Sequence, residues 1–453
     1  MFVIIGVLST LKNKHTSVDY LLAGHNVKPW LVALSAVATN NSGYMFVGMI
    51  GYTYVVGLSS MWLLVGWIFG DLLASLFIHK KLRETSEKEN THSFAGVLSR
   101  WHGNDYRKLR LIAGIITVSF LGTYASAQLN AGSKALHVLF GWDYSVGAII
   151  GAVMVLLYCF SGGIRASIWT DAAQSFVMVF AMGLMVFVAV EKIGGISQLI
   201  NALNLVSPTY MNLFPSESPF GNLLGPILFV ASWMFAGFGV VGQPHIMVRF
   251  MAMDQPNNMN KVRFYYYSWY IVFAALTISA GLLARLLLPE INTFDAELAL
   301  PTLSQQLLPE VLVGLILAGL FAATMSTADS QILSCSAAIT RDFTHEKKPS
   351  YLMTKLSTVF VTIMALIIAL SGTESVFSLV IIAWAALACA FTPLMTVYAL
   401  GGKPSERLAI LMIFTGIAVM VLWRYLGLND AVYEIAPGIL SGLTTYWLLR
   451  NRI

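Results

Sequence analysis

One apolar stretch of this sequence, Val311–Thr340, contains small and polar residues at a spacing that could hold a cation. The residues on one face of a helix there would be Ala323, Ser326, Thr327 and Ser330. Their separations of three and four residues let hydroxyl and backbone oxygens point the same way. Hard cations take oxygen ligands, and we extend that rule from Ca²⁺ and Mg²⁺ to Na⁺. The pattern predicts a cation site; the alternative is that the hydroxyls hold neighbouring helices together.

Carboxylates also occur inside apolar stretches. Asp329 lies within the same motif, and Asp71 lies within Leu58–Ile78. A carboxylate inside a membrane is costly, so it usually has a role in ion or solute binding. Asp329 therefore favours the cation site, whereas the sequence identifies no partner for Asp71.

The composition indicates a membrane protein. Of 453 residues, 57% are hydrophobic and 11% are charged, compared with about 45–50% and about 25% in soluble domains. The three cysteines, Cys159, Cys335 and Cys389, lie in apolar runs and give neither a disulfide framework nor a metal-ligand spacing. The net charge of +5 does not suggest a nucleic-acid partner, because the basic residues lie between hydrophobic segments. No nucleophile–base pair is visible, so we expect neither an enzyme nor a cofactor.

Apolar segments of spanning length recur through the chain, which predicts an all-α polytopic protein of the lipid bilayer. We count about 13 helices, of which the first is too short to cross a bilayer. That first segment is either a shortened helix or the result of a start site placed too late. The segments are Phe2–Leu11, Trp30–Val56, Leu58–Ile78, Leu111–Phe140, Tyr144–Phe160, Asp171–Val190, Asn222–Gly242, Phe264–Leu288, Val311–Thr340, Leu356–Leu370, Val376–Leu400, Leu408–Leu428 and Val432–Leu449.

The basic residues predict the orientation. If the N-terminus is outside, the loops that carry nearly all lysines and arginines are cytoplasmic. The exceptions are Lys134, Lys192, Arg285 and Arg424. This agrees with the positive-inside rule, and a missed helix would break the alternation. We therefore expect the N-terminus outside and the C-terminus in the cytoplasm.

Two segments contain helix-interrupting residues near the middle of the membrane. One has Thr39-Asn40-Asn41-Ser42-Gly43, and the other, five segments later, has Gly237-Phe238-Gly239-Val240-Val241-Gly242. Paired interrupted helices at corresponding positions indicate an inverted-repeat transporter with its binding site at the breaks. Close packing at glycines is the alternative, but it does not explain the polar Asn-Asn-Ser-Gly run.

Several longer motifs resemble one family along nearly the whole chain. They are Gly242-Gln243-Pro244-His245 with Arg249-Phe250-Met251-Ala252, Ala323-Thr324-Met325-Ser326-Thr327, Trp169-Thr170-Asp171 with Gln174, and Ala337, Ile339 and Thr340 with Asp342. The pattern resembles the sodium:solute symporter family, and within it the bacterial sodium/proline symporters.

This resemblance implies a LeuT-type core of two inverted five-helix repeats in a bacterial cytoplasmic membrane. We expect a single transporter domain, 1–453, in which 1–28 form the short first helix and a cytoplasmic loop. The repeats are expected at 29–190 and 222–400, followed by two C-terminal helices at 401–453.

The resemblance also implies a main sodium site. Its ligands would be backbone oxygens near Ala38 and Asn41, the Ala323 carbonyl, and the hydroxyls of Ser326 and Thr327. This set agrees with the helical face described above.

Asp171, which we predict at the start of the sixth helix, matches an acidic residue of the family. It could balance the charge of the ion or form a second ion site with Asp329 and Ser330, to which Ser326 could contribute. The alternative is that Asp171 is a helix N-cap, which the helix dipole would favour.

The expected solute pocket lies at the two breaks. Its residues would be Asn40, Ser42, Gly43, Tyr44, Tyr124, Gln128, Ala236, Gly239, Val240 and Gln243. Sodium/proline symporters carry an aspartate at the position of Asn40, paired aromatic residues at Ala236 and Val240, and a small residue at Gln128. The added amide of Gln128 suggests either an extra hydrogen bond to the solute or a bond between helices.

Two further interpretations concern aromatic residues. We interpret His245 as a structural hydrogen-bonding residue at a helix end, where carbonyls need partners. We interpret Tyr265, Tyr266 and Tyr267 with Trp269 as an interfacial belt.

These observations predict a sodium-coupled symporter that imports a small organic solute, with proline or a related amino acid as the leading candidate. Coupling to protons through Asp171 or Asp329, or another solute such as a different amino acid, a monocarboxylate, a sugar or a vitamin, remains open. A transporter-like sensor is disfavoured, because such proteins continue into a kinase region and this sequence stops three residues after Arg450. We expect the outside to close near Ile291–Pro309.

Overall fold

The computed structural model describes residues 2–9, 16–215, 220–288, 294–344, 350–372, 375–429 and 431–452. Helices make up most of these residues. They are α1 (Phe2–Ser9), α2 (Ser17–Leu22), α3 (Pro29–Gly43), α4 (Ile50–Val56), α5 (Met61–Phe77), α6 (His79–Lys88), α7 (Phe94–Arg100), α8 (Arg107–Phe140), α9 (Tyr144–Ile193), α10 (Ile196–Val206), α11 (Gly221–Phe238), α12 (Pro244–Met251), α13 (Met259–Leu287), α14 (Ala299–Leu307), α15 (Glu310–Ala337), α16 (Tyr351–Ser371), α17 (Val376–Ala399), α18 (Glu406–Tyr425) and α19 (Ile435–Leu449).

Within these described ranges, nine helices are long and apolar enough to cross a membrane. Tyr144–Leu157 and Ile435–Leu449 are apolar but shorter, α1 has eight residues, and α3 and α4 are separated by a π-helical turn at Tyr44–Met49. Lipid offers no hydrogen bonds to the backbone, so apolar segments of this length fold as helices. The chain is therefore a multi-pass membrane protein. Thr10 and Leu11 of the predicted first segment lie outside the described residues.

The predicted loop between Tyr144–Phe160 and Asp171–Val190 is wrong. α9 runs through this region and is only bent at Gly163, whose φ of 58° and ψ of −145° are not helical. Glycine adopts positive φ without steric cost, so the chain changes direction there without a loop. Asp171 is consequently fully buried well inside a helix, and neither the predicted helix start nor the N-cap alternative holds.

Two regions that we predicted as loops contain short helices. α6 and α7 lie in the basic region after the third predicted segment, Leu58–Ile78, and Ser93 caps α7 by accepting a hydrogen bond from the Gly96 amide at 3.0 Å. α10 lies in the region before Gly221. Its apolar residues recur at helical spacing, a pattern typical of an amphipathic helix, although the region is rich in Gly, Ser, Asn and Pro.

Both predicted helix breaks are present. In α3, Ser42 has a φ of 49° and a ψ of −178°, and the π-helical turn follows. Positive φ at a buried residue other than glycine costs on the order of 1–3 kcal/mol and is concentrated at functional sites. After α11 the chain forms a 3₁₀ turn at Gly239–Gly242, then an extended residue, Gln243, before α12 begins at Pro244.

The centre of the bundle is α15, which packs against α3, α8, α9 and α16. On a second side of the bundle, α5 and α11 approach closely. A Cβ atom at Gly70 would lie 1.8 Å from the Met234 carbonyl oxygen, and one at Gly237 would lie 1.9 Å from that of Trp67. Small residues allow such backbone contact in membranes, where packing rather than the hydrophobic effect joins helices.

Candidate functional site

The predicted cation-binding oxygens meet where α15 passes the break in α3. The Ser326 hydroxyl donates to the Ala323 carbonyl at 3.0 Å and to the Ala38 carbonyl at 3.3 Å. The Thr327 hydroxyl lies 3.2 Å from the Ala323 carbonyl and 2.9 Å from the Thr39 carbonyl. All five residues are buried. We call these residues the α3–α15 oxygen cluster.

The cluster differs from the predicted set at two positions. Thr39 contributes its carbonyl, and its hydroxyl lies 3.1 Å from the Ser330 hydroxyl. The Asn41 carbonyl instead accepts the Tyr44 amide, and the Asn41 side chain donates to the Val37 carbonyl at 2.8 Å. The sequence reasoning included Thr39 in the break but gave it no ligand role.

The residues of the possible second ion site surround a guanidinium group. Arg249 of α12 is fully buried, and its Nη2 lies 3.4 Å from Asp171 Oδ2 and 3.8 Å from Asp329 Oδ1. Nη2 also donates to the Ser330 hydroxyl and to the Ser167 hydroxyl, the latter at 2.8 Å. Two carboxylates and one guanidinium therefore share one buried space, which we call the Arg249 cluster.

Hydroxyl groups complete the Arg249 cluster. Ser35 donates to Asp171 at 2.6 Å, Ser167 donates to Asp329 at 3.1 Å, and Ser330 donates to Asp329 at 2.9 Å. Ser330 also bonds to Thr39 of the α3–α15 oxygen cluster. Its hydroxyl also contacts the Ser326 carbonyl of that cluster. Ser330 thus joins the two clusters, and a charge in one cluster acts strongly on the other because the surroundings are poorly polarisable.

On its other side, the break in α3 faces α8. The Gly43 amide donates to Gln128 Oε1 at 2.8 Å, and the Tyr124 hydroxyl donates to the Ser42 hydroxyl at 3.4 Å. Of the predicted pocket residues, Ser42, Gly43, Tyr124 and Gln128 therefore lie together. The Tyr44 ring instead stacks on Phe377, with centroids 5.5 Å apart.

The pocket residues predicted around the second break pack against α17. The Ala236 carbonyl accepts the Trp384 indole N–H at 3.1 Å, and the Gln243 amide donates to the Trp384 carbonyl at 3.0 Å. A Cβ atom at Gly239 would lie 2.7 Å from Ala388. Val240 is also fully buried. None of these hydrogen bonds or contacts reaches the Tyr124 and Gln128 side chains.

His245 connects the two sides, which we did not anticipate. Its ring lies 5.6 Å from that of Tyr124 and 6.5 Å from that of Trp384, centroid to centroid. It is fully buried, and neither ring nitrogen bonds to another described residue. The interpretation of His245 as a structural hydrogen-bonding side chain is therefore wrong. In the sequence, the Gly-Gln-Pro-His motif was the feature that could have indicated a binding role for His245.

Other polar atoms around the breaks are also buried without a hydrogen-bond partner among the described residues. Gln128 Nε2, Gln243 Oε1 and Asn41 Oδ1 are buried and make no hydrogen bond to a described residue. Burying a polar group without a partner costs about 1–3 kcal/mol. Such groups persist where a bound molecule satisfies them.

Asn40 and Asp71 share a separate polar contact. The Asn40 amide donates to the Tyr266 hydroxyl at 2.6 Å, and Asp71 is buried near Tyr266 and Tyr267 without a well-formed hydrogen bond to a described residue. These two tyrosines are 2% and 8% exposed, so the interfacial-belt interpretation is wrong for them. Successive residues of a helix face different directions. Three consecutive tyrosines therefore cannot all face the membrane interface.

Among the described residues, cavities open on both faces of the protein. The cavity beside Gln128 and Thr324 has a volume of about 10 Å³. A cavity of about 350 Å³ opens on the face that carries the basic loops, and its lining includes Arg100, Arg110 and Arg341. On the opposite face, a cavity of about 200 Å³ lies above the Tyr44–Phe377 stack.

Comparisons with solved structures identify the fold. A Na⁺-coupled sialic acid symporter in a substrate-bound, outward-open state matches with a TM-score of 0.84 at 18% identity, over 100% of this chain and 95% of the other. Mhp1, a nucleobase-cation-symport-1 family transporter, matches with a TM-score of 0.60 at 13% identity, over 95% of each chain. This chain therefore shares the fold of these two proteins.

Sequence comparisons identify the family. The chain is 29% identical to the high-affinity proline transporter PutP of Bacillus subtilis, over 95% of this chain and 92% of that protein. It is 32% identical to sodium/proline symporter 2 of Staphylococcus saprophyticus, over 95% and 86%. The sequence profile of the sodium:solute symporter family matches residues 20–401. This chain therefore belongs to the sodium:solute symporter family.

Proposed function

We propose that this protein is a sodium-coupled symporter that imports a small zwitterionic solute, with proline as the leading candidate. The observation that carries the proposal is the convergence of buried oxygens and unpaired polar groups on the break in α3. The oxygens suit Na⁺, and the unpaired groups suit a polar solute of modest size. The named functions of the similar proteins supply proline as the first solute to test.

The sodium site consists of the α3–α15 oxygen cluster. Ala38, Ala323, Ser326 and Thr327 remain the proposed ligands, and the Thr39 carbonyl joins them. The Asn41 carbonyl adjoins the break and becomes a ligand if the Tyr44 amide turns away. With both carboxylates ionised, the Arg249 cluster carries one net negative charge, which balances one sodium ion nearby.

The second ion site is occupied by a side chain of the protein itself. Asp171, Asp329 and Ser330 hold the Arg249 guanidinium, which supplies the positive charge that a second sodium ion would bring. We therefore expect one sodium ion per transport cycle. Because Asn40 is neutral, the balancing charge comes from the Arg249 cluster and not from α3 itself.

The solute site lies between α3, α8 and the α11–α12 break. The Gln128 amide and the His245 ring can donate to a carboxylate, while Gln243 Oε1 can accept from an ammonium group. Tyr124, Ser42 and Gly43 line the same space. The other predicted pocket residues do not line this space but pack against the helices around it and fix the positions of α5, α13 and α17. They are Asn40, Tyr44, Ala236, Gly239 and Val240.

Substituting Gly43 with alanine should lower solute affinity roughly ten- to hundredfold. The added Cβ would lie 2.6 Å from Thr324 Cγ2 and 2.9 Å from Gln128 Oε1, and such overpacking costs about 1–3 kcal/mol. Gly122→Ala on α8 is the matched control, because its Cβ meets nothing within 4 Å. Labelled-proline binding to purified protein measures the effect. Equal affinity in both variants would remove Gly43 from the solute site.

The architecture is a pair of inverted five-helix repeats, 29–190 and 222–400, within about 13 helices of one domain. The N-terminus lies outside and the C-terminus in the cytoplasm. Three of the basic residues on the outer face have partners there: Lys134 contacts Glu297 at 2.6 Å, Arg424 contacts Glu434 at 2.8 Å, and Arg285 lies 5.5 Å from the Tyr54 ring. Pairing explains why these charges are tolerated on that side.

Closure of the outside involves the predicted segment near Ile291–Pro309, of which residues 294–309 are described. Glu297 accepts hydrogen bonds from the Phe377 amide at 2.8 Å and from the Ser375 hydroxyl at 2.7 Å. Together with Lys134, it joins α8 to the start of α17. Phe377 covers Tyr44, so this contact holds the outer side closed over the break.

Glu297→Gln should slow uptake about tenfold and lower the sodium concentration for half-maximal uptake. Removing the charge weakens contacts worth roughly 1.5–3 kcal/mol, so the outward-open form, which binds external sodium, becomes more populated. Glu310→Gln is the control, because Glu310 is exposed on the same face. Initial rates of uptake at varied sodium check this. Unchanged kinetics would exclude the gate role.

The test of the proposed function is uptake of labelled proline into proteoliposomes at fixed membrane potential, with sodium and proton gradients imposed separately. We expect accumulation with an inward sodium gradient and none with a matched potassium control. Accumulation driven only by protons would replace sodium coupling. Sodium-driven uptake of another solute in a competition panel, without proline uptake, would replace the solute.

A further inference from the structure

Four buried side chains from three helices bring oxygen atoms together beside α3. Asp71 of α5 lies near Tyr266 and Tyr267 of α13, and the Asn40 amide of α3 donates to the Tyr266 hydroxyl at 2.6 Å. None of the four side chains is more than 8% exposed. We call these four residues the Asp71 cluster.

Most of the oxygens in the Asp71 cluster have no hydrogen-bond partner. Both carboxylate oxygens of Asp71, the Tyr267 hydroxyl and Asn40 Oδ1 make no hydrogen bond to a described residue. The Asn40 nitrogen contacts the Tyr266 hydroxyl, so Oδ1 of the same amide group lies close to that hydroxyl as well. Buried polar groups are seldom left unsatisfied in native proteins, and a bound ion is one explanation when they are.

Asp71 also has no ion-pair partner among the described residues. Arg263, one turn before Tyr267 in α13, donates instead to the Ser75 carbonyl at 2.6 Å and to the Ser75 hydroxyl at 3.2 Å. Ser75 lies one turn after Asp71 in α5, so this contact keeps the guanidinium a full turn away from the carboxylate. Asp71 thus differs from Asp171, which lies beside the Arg249 guanidinium.

The charge and the oxygens of the Asp71 cluster select the class of ligand. A buried carboxylate without a counter-charge is costly, because burial removes its hydration. One monovalent cation cancels this charge, whereas a divalent cation would leave a positive charge in the same buried space. Carboxylate, amide and hydroxyl oxygens suit hard cations, and the cluster has no thiol or imidazole, which softer metals prefer. Sodium meets both conditions.

The helices that carry the Asp71 cluster are held closely against their neighbours. Gly70, next to Asp71, leaves no room for a Cβ atom beside the Met234 carbonyl of α11. The contact between Arg263 and Ser75 fastens α5 to α13. A fully enclosed ion can leave only if these helices separate. An ion in the Asp71 cluster therefore belongs to the folded structure and differs from one that is released in every cycle.

We propose that the Asp71 cluster is a structural sodium site, in which Asp71, Tyr266, Tyr267 and Asn40 hold one ion throughout the transport cycle. This ion is additional to the one at the α3–α15 oxygen cluster, so the expectation of one transported sodium ion per cycle stands. The competing explanation is that Asp71 carries a proton and forms a neutral hydrogen-bonding group with the two tyrosines. That explanation predicts no sodium ion at this place.

Equilibrium binding of labelled sodium ions to purified full-length protein separates the two explanations. Sodium is varied in a choline background, because choline is too large for a buried oxygen site. We expect two bound ions per wild-type chain and one per chain of Asp71→Asn. In the double variant Ser326→Ala with Thr327→Ala one ion should remain, and adding Asp71→Asn should weaken its binding at least tenfold. Asp143→Asn is the control and should change nothing, because it removes an exposed carboxylate and keeps a side chain that can cap α9.

Thermal unfolding should show effects of Asp71→Asn that depend on the buffer. In sodium, the variant should unfold at a lower temperature than the wild type, because an ion that binds only the folded state stabilises it. In choline, the variant should unfold at the same or a higher temperature, because the amide removes an uncompensated buried charge. A protonated, neutral Asp71 would give the same difference in both buffers.

A second variant tests the site without changing its charge. Tyr267→Phe removes a hydroxyl that has no partner among the described residues. If this hydroxyl is a sodium ligand, the variant should weaken the sodium binding that remains in the Ser326→Ala, Thr327→Ala background several-fold. If Asp71 is protonated, sodium binding in that background should be the same with and without Tyr267→Phe.

The outcomes separate this site from the proposed function. Equal numbers of bound sodium ions in the wild type and in Asp71→Asn would overturn the site even if sodium-driven uptake is normal. Sodium binding that requires Asp71 supports the site even if no sodium-driven uptake is found, in which case only the proposed function fails. Uptake should rise hyperbolically with sodium. A sigmoidal rise that Asp71→Asn makes hyperbolic would mean that this ion is transported, which contradicts a structural site.

Discussion

Replacing Ser326 and Thr327 together with alanine is expected to abolish sodium-dependent uptake. The two hydroxyls lie within hydrogen-bond distance of the Ala38, Thr39 and Ala323 carbonyls, so the double variant loses two of five proposed sodium ligands. It also removes the side-chain hydrogen bonds to the Ala38 and Thr39 carbonyls beside the break in α3, each worth about 0.5–1.5 kcal/mol. We expect sodium affinity to fall by roughly a hundredfold or more, which corresponds to about 2.7 kcal/mol.

Binding of labelled sodium ions to purified protein and initial uptake rates at varied sodium both check this result. Ser336→Ala on the same helix is the control, since the Ser336 hydroxyl is buried and bonds only within the helix, to the Ile332 carbonyl at 2.8 Å. The control removes an equivalent hydroxyl far from the α3–α15 oxygen cluster. Full sodium-stimulated transport in the double variant would contradict the assignment of the α3–α15 oxygen cluster as the sodium site.

The second large effect is expected from Arg249→Met. This change leaves Asp171 and Asp329 buried without their guanidinium, and breaking a buried ion pair from one side costs about 3–5 kcal/mol. We expect a lower unfolding temperature and loss of uptake. Adding Asp171→Asn should restore much of the stability by removing one uncompensated charge, without restoring uptake.

Thermal unfolding in detergent and proteoliposome uptake measure these outcomes. Arg100→Gln is the control, because Arg100 forms an ion pair with Asp105 in which both side chains are 39% exposed, and exposed pairs contribute about 0–1 kcal/mol. Arg249→Met with normal stability would mean that the two carboxylates are not both ionised. The charge balance proposed for the sodium site would then be wrong.

Arg249 also shows where a motif stops being informative. Its position in the Arg249-Phe250-Met251-Ala252 motif marks it as a residue of interest, but nothing nearby in the sequence pairs it with Asp171 or Asp329. Those carboxylates lie 78 and 80 residues away along the chain. Sequence reasoning placed both in one possible ion site and left out the cation that the protein provides.

Asp71 illustrates the same limit. In the sequence it is an isolated carboxylate in α5, and the tyrosines of α13 look like an interfacial group. Packing α13 against α3 and α5 brings Tyr266 between Asn40 and Asp71, so that three residues without evident roles become one contact. Hydropathy could not indicate this, because it treats each segment separately.

The sequence by itself determined the features that depend on neighbours along the chain. These are the apolar segments, the face of α15 that carries Ser326 and Thr327, and the two breaks, because hydropathy, helical period and helix-breaking residues are local properties. Tertiary structure alone decided where the bend at Gly163 replaces a loop, which cation Asp171 and Asp329 hold, and how Arg424 and Glu434 meet on the outer face. Those features depend on how helices far apart in the chain pack together, since burial leaves each charge only the partners that packing brings to it.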